Sequence, residues 1–335
     1  MYTNIEFLHG CQKSEIISFI NNFESENKEF IFHTSGSTGK PKKIVFKKDQ
    51  LLFSAKNTIK YFNLNQQNIF YLCLDIQTVA AKMMIVRAIT CGAKLICGPV
   101  SKNVKIPELN SPLFIAMVPI QLQNLISRLK NNSDNVTFLI GGASIPTQLY
   151  KSIAHLNLKC YQSYGMTETL SHVAIRKIVY PEQTYEALEG ITFKCKSNSL
   201  IINYPILSKY PIETNDEVDL IDEKHFFWKG RSDFSVNSGG VKLHPVEIED
   251  KIFQHTGLKT ILFGHKDNEY GEILVMAILG NNELNISKSK FSFLSSYEIP
   301  KKYQFLNEFY YLKSQKIDRN TSISKCQENE WRILL

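Results

Sequence analysis

Residues 33–42 read His-Thr-Ser-Gly-Ser-Thr-Gly-Lys-Pro-Lys and lie between two apolar runs, Phe30–Phe32 and Ile44–Phe46. Glycines let backbone N–H groups approach an anion closely, hydroxyls add hydrogen-bond donors, and lysines add positive charge. These are the parts of a phosphate-binding loop. Because the residue before a proline favours extended conformations, Pro41 disfavours a helix directly after the loop, and we expect a strand–loop–strand hairpin.

This loop differs from the nucleotide-binding loop of P-loop ATPases. That loop has four residues between its glycines and a Ser or Thr after its lysine. Here two residues separate Gly36 from Gly39, and Pro41 follows Lys40. Taken alone, the Ser-Thr-Gly cluster is also compatible with a solvated turn.

The length and composition limit which kinds of protein this chain can be. A length of 335 residues predicts two domains, and 43% hydrophobic residues suffice for a sizeable core. The net charge of +7 comes from scattered lysines without a long basic run, so we expect anionic small molecules and no nucleic-acid partner. Seven cysteines without a CxxC pair, no basic-then-apolar leader and no apolar run of membrane-spanning length predict a cytoplasmic protein without a membrane span.

Strand-like and helix-like segments alternate up to about residue 156, which favours an α/β domain with a mostly parallel sheet. We expect helices at 11–29, 50–62, 80–90, 119–130 and 146–156, and strands at 69–74, 93–97, 113–118 and 136–140. Ligands bind at the carboxyl ends of strands in such sheets. Three candidate strand ends are His33–Thr34, Gly141–Gly142 and Tyr164–Gly165.

The pattern of predicted secondary structure changes after about residue 172. Short strands predict a small β subdomain, and an α+β region follows residue 230 with helices expected at 245–255 and 286–296. We therefore expect two domains: a core at 1–230 and a smaller domain at 231–335.

A second motif, Tyr-Gln-Ser-Tyr-Gly-Met-Thr-Glu-Thr, occupies residues 161–169. Gly165 would let the backbone approach a ligand, Tyr164 offers a flat face for a base, and Glu168 offers the oxygen ligand that Mg²⁺ prefers. A strand end with a capping threonine is the alternative interpretation.

Further along the chain, Asp216 and Arg231 carry groups that can bind ribose hydroxyls and phosphates. Taken separately, Asp216 could be an acid in a turn and Arg231 a surface cation.

In this order, the motifs resemble those of the adenylate-forming superfamily, which includes acyl-CoA synthetases, peptide-synthetase adenylation domains and luciferases. The resemblance covers roughly residues 30–320 and implies binding of ATP, Mg²⁺ and coenzyme A. It assigns nucleotide and cofactor binding to Thr34, Ser35, Gly36, Ser37, Thr38, Gly39, Lys40, Gly142, Ala143, Tyr164, Gly165, Thr167, Asp216, Arg231, Gly239 and Gly240.

The same resemblance implies the fold and the moving parts. Residues 230–242 are similar to the hinge and the loop after it, with Asp233 as the hinge between the large domain and a mobile C-terminal lid. Gly239-Gly240 would reach the active site in the second half-reaction. Lys316 matches the lysine that acts during adenylation, although Gln315 replaces the glycine that usually precedes it. Catalysis is thereby assigned to Lys316, Glu168 and Thr34.

Only 33 residues precede Thr34, so much of the usual N-terminal subdomain of the superfamily is expected to be missing. This shortening, with residues 77–88 and 163–172, resembles compact bacterial o-succinylbenzoate–CoA ligases of menaquinone synthesis. Such a substrate has a second, aromatic carboxylate that requires a cation. Arg87 is the first choice because it suits bidentate carboxylate binding, and Lys82 on the same helix is the second.

Ser163 and His172 complete the expected acid site, while surface charge on the helix is the alternative interpretation for both cations. The resulting hypothesis is an ATP-dependent acid–CoA ligase that forms an acyl-adenylate and then a thioester. Alternatives are a ligase for another aryl or fatty acid, an adenylation domain that loads a carrier protein, and a degenerate nucleotide-binding regulator.

Overall fold

The structure is a computed structural model that describes residues 2–34, 42–107, 110–129, 135–143, 145–179, 181–238, 241–267, 271–280, 286–311, 317–327 and 330–335. The chain forms two compact units. The first comprises Met1–Lys194, Ile202–Ile212 and Ile221–Phe226, and the second comprises Cys195–Ile201, Glu213–Leu220 and Phe227–Leu335.

The elements up to residue 187 are, in chain order, β1 (Ile5–Phe7), α1 (Lys13–Glu24), β2 (Glu29–His33), β3 (Lys43–Lys47), α2 (Lys48–Phe62), β4 (Ile69–Leu72), α3 (Val79–Cys91), β5 (Lys94–Cys97), β6 (Leu113–Met117), α4 (Pro119–Ile126), β7 (Val136–Ile140), α5 (Thr147–His155), β8 (Cys160–Gly165), β9 (His172–Lys177) and β10 (Tyr185–Ala187). The remaining elements are β11 (Thr192–Lys196), β12 (Ser199–Asn203), β13 (Ile212–Leu220), β14 (His225–Arg231), β15 (Val236–Ser238), β16 (Val241–Leu243), α6 (Pro245–Thr256), β17 (Thr260–Asp267), β18 (Gly271–Leu279), β19 (Lys302–Leu306), α7 (Arg319–Ile323) and β20 (Arg332–Ile333).

A parallel sheet organises the first unit. Its strands follow the order β1-β5-β4-β6-β7-β8, and each neighbouring pair is parallel. Every residue of Ile69–Leu72 and Leu113–Met117 is buried, as expected for strands that are covered on both faces. The predicted α/β class is confirmed.

Helices cover the two faces of this sheet. Alternate strand residues such as Phe114 pack into one cluster with α1 and α3, while their neighbours such as Ile115 pack into another with α4 and α5. Helix α3 begins after Thr78, whose side chain accepts a hydrogen bond from the N–H of Ala81, and it ends at Gly92 in the left-handed conformation. The apolar sequence of both strands and helices follows from this layered core.

The sheet continues with antiparallel strands. β9 pairs with β8, β10 with β9, and β14 with β10 through Tyr185 and Phe226. The strand order then runs β14-β13-β12-β11, and the boundary between the two units passes through each of these four strands. These strands form the short-stranded region that the sequence predicts after residue 172.

The predicted hairpin is also confirmed. β2 and β3 pair antiparallel from Glu29 opposite Lys47 to His33 opposite Lys43. They form a separate two-stranded sheet, so His33–Thr34 does not end a strand of the parallel sheet. The buried faces of Phe30, Phe32 and Phe46 pack with residues of α2 and α3.

The second unit contains a four-stranded sheet in the order β17-β18-β19-β20, with β18 and β19 parallel. Its core joins Ile248 and Ile252 of α6 to Leu262 and Met276 of the sheet. Helix α6 has Pro245 at its first turn and ends at Gly257 with a φ of 71°, which is the expected asymmetry of helix ends.

The predicted helix at 286–296 is wrong. The structure has a single 3-10 turn at Lys288–Phe291 there. Serine hydroxyls compete with the backbone for hydrogen bonds and weaken a helix: Ser287 Oγ lies 2.8 Å from Ser289 Oγ, and both the N–H and the hydroxyl of Ser295 donate to Glu298. Across the described ranges, no helix has the length and apolarity that crossing a membrane requires.

The Glu249–Arg319 ion pair gives a prediction for the second unit. Both side chains are nearly buried, at 15% and 12% exposed, and Arg319 also donates to the carbonyl of Leu262. Glu249→Ala leaves a buried unpaired guanidinium, so we expect a loss of about 3–5 kcal/mol of stability. The measurement is the thermal unfolding midpoint of the full chain.

The control is Asp219→Ala, which breaks the exposed pair with Lys229, whose side chains are 55% and 44% exposed. Exposed pairs contribute at most about 1 kcal/mol. Equal shifts of the midpoint for the two variants would contradict a structural role for the Arg319 pair.

Candidate active site

Two strand ends meet at one edge of the parallel sheet. Gly141 follows β7 and Gly165 ends β8, and these strands are parallel neighbours. The hydroxyl of Ser163 donates to the carbonyl of Ile140 at 3.1 Å. A Cβ at Gly141 would lie 2.5 Å from Ser163 Oγ and would require that hydroxyl to move. Gly142 then turns the chain with a φ of 84°, and Ala143 follows it.

Gly165 is the closest backbone approach at this edge. A Cβ there would lie 2.5 Å from the Cα of His172 and would also clash with the carbonyl oxygen of Ser171. The strand pairing shifts register between Tyr164 and Gly165. Glycine at this position therefore brings the end of β8 against the start of β9.

The turn that follows presents Glu168. Residues Thr167–Thr169 form a 3-10 turn, closed by a hydrogen bond from the N–H of Met166 to Thr169 Oγ1. Thr169 is fully buried, whereas Glu168 is exposed. The turn thus anchors one side chain in the core and directs the carboxylate of Glu168 outward.

The described ranges contain no group of three or more His, Cys, Asp or Glu side chains that could hold a metal ion. Mg²⁺ keeps several waters and is usually bound by one or two carboxylates together with substrate phosphates. A single exposed carboxylate at Glu168 fits such an ion bound with a nucleotide, and it does not fit a metal caged by protein alone.

Aromatic rings hold Tyr164 in place. Tyr164 is buried, and its ring lies 5.8 Å from the ring of Tyr185 and 5.2 Å from that of Phe226. Arg176 lies 4.5 Å over Tyr185 and donates to Gln162 Oε1 at 2.6 Å. Tyr164 thus has a fixed orientation, as a ring that stacks on a base requires.

Arg87 lies in a buried polar cluster that the first unit assembles from three elements. Arg87 is 1% exposed, Thr58 of α2 is 0% exposed and His172 of β9 is 8% exposed. Arg87 Nε donates to Thr58 Oγ1 at 3.0 Å, and Arg87 Nη2 donates to Ser171 Oγ at 2.7 Å. His172 Nε2 lies 2.9 Å from Thr58 Oγ1, and its Nδ1 lies 3.5 Å from Arg87 Nη2.

Burial changes the ionisation of both groups in this cluster. It lowers the pKa of Arg87 to about 9, so the guanidinium remains protonated at neutral pH. Burial and the neighbouring Arg87 charge lower the pKa of His172 well below its usual value, so its imidazole is neutral. No carboxylate of a described residue is paired with Arg87. Surface charge is therefore the wrong interpretation for Arg87.

Lys82 lies elsewhere. Its Nζ sits 5.1 Å from the ring centre of Phe32 and 5.9 Å from that of Phe19, and burial lowers its pKa. The two candidate cations of α3 therefore have different surroundings, and the structure brings Arg87, but not Lys82, together with His172.

Thr34 is hydrogen-bonded to Lys42 at the base of the candidate phosphate loop. Its N–H donates to the carbonyl of Lys42 at 3.0 Å, and its hydroxyl accepts from the N–H of Lys42 at 2.9 Å. These two bonds join the ends of the loop. The other predicted loop residues, Ser35, Gly36, Ser37, Thr38, Gly39 and Lys40, lie outside the described residues.

The second unit contains Asp216, Arg231 and Asp233. Asp216 is buried and its Oδ1 accepts from Trp228 Nε1 at 3.0 Å. Arg231 makes a bidentate pair with Asp233, at 2.9 and 2.7 Å. Ser232 donates to the carbonyl of Asn215, so the segments around Asp216 and Arg231 are adjacent. The predicted hinge residue is thus bonded directly to the predicted ribose-binding arginine.

Three further predicted residues, Gly239, Gly240 and Lys316, lie outside the described residues. Two described residues that flank Lys316 are fixed: Tyr311 pairs with Ile317 in an isolated antiparallel bridge, and Arg319 is bonded to Glu249.

Sequence reasoning missed Thr58 and Ser171. Thr58 lies on the buried face of α2 among apolar residues at 51, 55 and 59. A hydroxyl on a buried helix face, and an arginine within the apolar run Met83–Ile89, are signals that could have identified the cluster.

A family model and a named relative match this chain. The family model of the AMP-binding enzymes matches residues 17–201, more than half of the chain. The 2-succinylbenzoate–CoA ligase of Haemophilus influenzae is 28% identical over 320 residues, covering 89% of this chain and 69% of that protein.

Two solved structures are similar. An acyl-CoA synthetase (AMP-forming)/AMP-acid ligase II-like protein from Dyadobacter fermentans has a TM-score of 0.60 at 32% identity and covers 93% of each chain. The o-succinylbenzoate CoA synthetase of Bacillus subtilis, in complex with its acyl-adenylate intermediate, has a TM-score of 0.77 at 18% identity, over 89% of this chain and 69% of that one. The second match shows a shared fold.

The close approach at Gly165 gives a testable prediction. In Gly165→Ala the added Cβ must displace the backbone of residues 171–172, which also moves the cluster around Arg87. We expect a lower unfolding midpoint and at least a tenfold weaker nucleotide affinity, roughly 1.4 kcal/mol, measured by calorimetric titration with ATP.

Gly92→Ala is the control, because a Cβ at Gly92 meets no atom within 4 Å and the φ of 66° is its only strain. It should lose about 1 kcal/mol of stability and keep its affinity for ATP. Wild-type ATP affinity in Gly165→Ala would mean that the end of β8 does not contribute to the nucleotide site.

Proposed function

The chain belongs to the AMP-binding enzyme family, and on that premise we propose that it is an AMP-forming acid–CoA ligase. The proposed reaction joins 2-succinylbenzoate to coenzyme A with cleavage of ATP to AMP and pyrophosphate, a step of menaquinone biosynthesis. The observation that carries this proposal is the buried Arg87, a cation without a carboxylate partner among the described residues. The named ligase relatives support the same substrate.

The proposed chemistry explains why ATP is needed. A carboxylate is a poor electrophile, and attack on the α-phosphate converts it into a reactive mixed anhydride with AMP. Negative charge develops on phosphate oxygens in that step, and preorganised cations and N–H donors there lower the barrier. We assign this role to residues 34–40 and Lys316, with Tyr164 under the base. Glu168 would hold Mg²⁺, which supplies charge neutralisation at the phosphates when bound.

The acid site follows from the charge of the substrate. 2-Succinylbenzoate carries one carboxylate that is activated and a second on its aromatic ring. Arg87 can pair with a carboxylate, and its burial strengthens such a pair. Ser163 and His172 remain candidate residues of the same site, while the surroundings of Lys82 favour a supporting role for that residue.

The second half-reaction is assigned to the C-terminal region. We propose that residues 231–335 act as a mobile lid with Asp233 at its hinge, and that Gly239-Gly240 serves thioester formation. The Arg231–Asp233 pair supports this assignment because it joins the predicted ribose contact to the predicted hinge.

We also propose a cytoplasmic location, which is supported by seven cysteines without a disulfide.

Pyrophosphate release tests the proposal. With ATP and Mg²⁺, we expect 2-succinylbenzoate to give the fastest release in a panel that includes benzoate, aryl and fatty acids. Added coenzyme A should then yield the thioester, detected by mass spectrometry. Faster release with another acid, transfer only to a carrier protein, or ATP binding without turnover on any acid would each contradict the proposal.

Lys316→Ala tests the assignment of the two half-reactions. Loss of a cation at the attacked phosphate should reduce acyl-adenylate formation by at least a hundredfold, roughly 3 kcal/mol of transition-state stabilisation. Thioester formation from supplied acyl-adenylate should remain within about threefold of wild type. Lys313→Ala in the same segment is the matched control and should retain both steps. Survival of adenylation in Lys316→Ala would remove Lys316 from the catalytic set.

A further inference from the structure

The cluster around Arg87 contains more than the arginine. We propose that Thr58, Ser171 and a neutral His172 form a charge-free clamp that fixes the guanidinium of Arg87 and leaves its positive charge for the acid. The clamp, and not Arg87 alone, then sets the preference for an acid with a second carboxylate. This inference rests on the proposed function for its substrate and on the described contacts for its geometry.

The hydrogen bonds determine which nitrogen of His172 carries the proton. A guanidinium only donates, so Thr58 Oγ1 accepts from Arg87 Nε at 3.0 Å. We assign the hydroxyl proton of Thr58 to the carbonyl of Ser54, at 3.3 Å, as is common for a threonine within a helix. With this assignment His172 Nε2, which lies 2.9 Å from Thr58 Oγ1, is the donor of that hydrogen bond.

The other ring nitrogen is then an acceptor. His172 Nδ1 faces Arg87 Nη2 at 3.5 Å and Ser171 Oγ at 3.3 Å. A proton on Nδ1 would point at the donor groups of Arg87, whereas a lone pair there accepts from them. Both ends of the ring thus favour the neutral tautomer with its proton on Nε2.

Three other arginines of the chain are paired with carboxylates, unlike Arg87 among the described residues. Arg319 is paired with Glu249, Arg231 with Asp233, and Arg176 with Glu182. Each of these pairs cancels the charge of its guanidinium. Arg87 is more buried than any of the three, and among the described residues it is held by hydroxyls and an imidazole.

The absence of a described counter-charge beside Arg87 favours binding of an anionic ligand. A buried cation without a counter-charge is unfavourable, and an anionic ligand removes that penalty. Neutral hydrogen-bond partners orient the guanidinium without cancelling its charge, so the gain is available to the second carboxylate of the ligand. Thr58 and His172 are positioning residues in this arrangement, because they act through Arg87.

The test compares two acids that differ by one group. One is 2-succinylbenzoate, and the other is 4-oxo-4-phenylbutanoate, which lacks the ring carboxylate. Thr58→Val keeps the shape of the side chain but removes the acceptor for Arg87 Nε. We expect the KM for 2-succinylbenzoate to rise roughly tenfold to a hundredfold, as for loss of a hydrogen bond to a charged group, and the KM for the monocarboxylate to change by less than about threefold.

Two variants complete the series. Thr58→Ser retains the hydroxyl and should restore the KM for 2-succinylbenzoate to within about threefold of wild type. Thr90→Val is the matched control on α3, since the hydroxyl of Thr90 bonds only to the carbonyl of Val86, and it should match wild type for both acids. An equal rise in both KM values for Thr58→Val, or no rescue by Thr58→Ser, would overturn the clamp.

A charge variant tests the neutrality of the clamp. Thr58→Asp places a carboxylate beside Arg87 and should reduce the discrimination between the two acids at least tenfold, because the guanidinium is then already paired. Discrimination that stays at the wild-type ratio would show that the charge of Arg87 is not what selects the acid.

Nitrogen NMR of the wild-type protein tests the tautomer without any substitution. At pH 7 the ring of His172 should show a protonated Nε2 and an unprotonated Nδ1; an imidazolium or the opposite tautomer would overturn the clamp.

Pyrophosphate release and the KM values separate the failure of the proposed function from the failure of the clamp. If wild type releases no pyrophosphate with 2-succinylbenzoate, the proposed function fails. If it does, and Arg87→Ala raises the KM while Thr58→Val does not, only the clamp fails.

Discussion

The buried guanidinium of Arg87 connects the parts of the first unit that surround the candidate acid site. It lies on α3 and bonds to Thr58 of α2 and to Ser171 just before β9. Burying a cation is costly unless its donors are satisfied, so these bonds fix how the two helices meet the end of the sheet. The hairpin β2–β3 packs on the same helices through Phe30, Phe32 and Phe46. Through these contacts the hairpin strands that flank the candidate phosphate loop pack on the same two helices as the candidate acid site.

The end of β8 has a second constraint, which is steric. Gly165 allows its backbone to lie against Ser171 and His172, and the same strand carries Tyr164 and leads into the turn with Glu168. Tyr164, the exposed carboxylate of Glu168 and the cluster around Arg87 are therefore connected through a few residues of backbone. A local requirement for glycine thus couples the candidate nucleotide site to the candidate acid site.

Two arginines of the second unit form ion pairs, whereas Arg87 of the first unit has neutral partners among the described residues. Glu249 holds Arg319 from the segment that follows Lys316, and Asp233 holds Arg231. Each of these pairs places a carboxylate beside the guanidinium and offsets its charge within the protein. Arg87 differs because its partners leave its charge available, and that contrast supports a ligand-binding role for Arg87.

The sequence by itself determined the strand and helix alternation, the hairpin around the loop, the order of the motifs and the family, because each depends on local spacing and residue type. It also made Arg87 the first choice of two candidate cations, which stays a prediction. It did not determine that Lys82 packs over phenyl rings, that Arg231 bonds to Asp233, or that serines break the expected helix at 286–296. The tertiary structure alone decided the clamp, because Arg87 meets Thr58 and His172 across 29 and 85 residues of chain. Contacts over such separations depend on how helices and strands pack, and no local pattern encodes them.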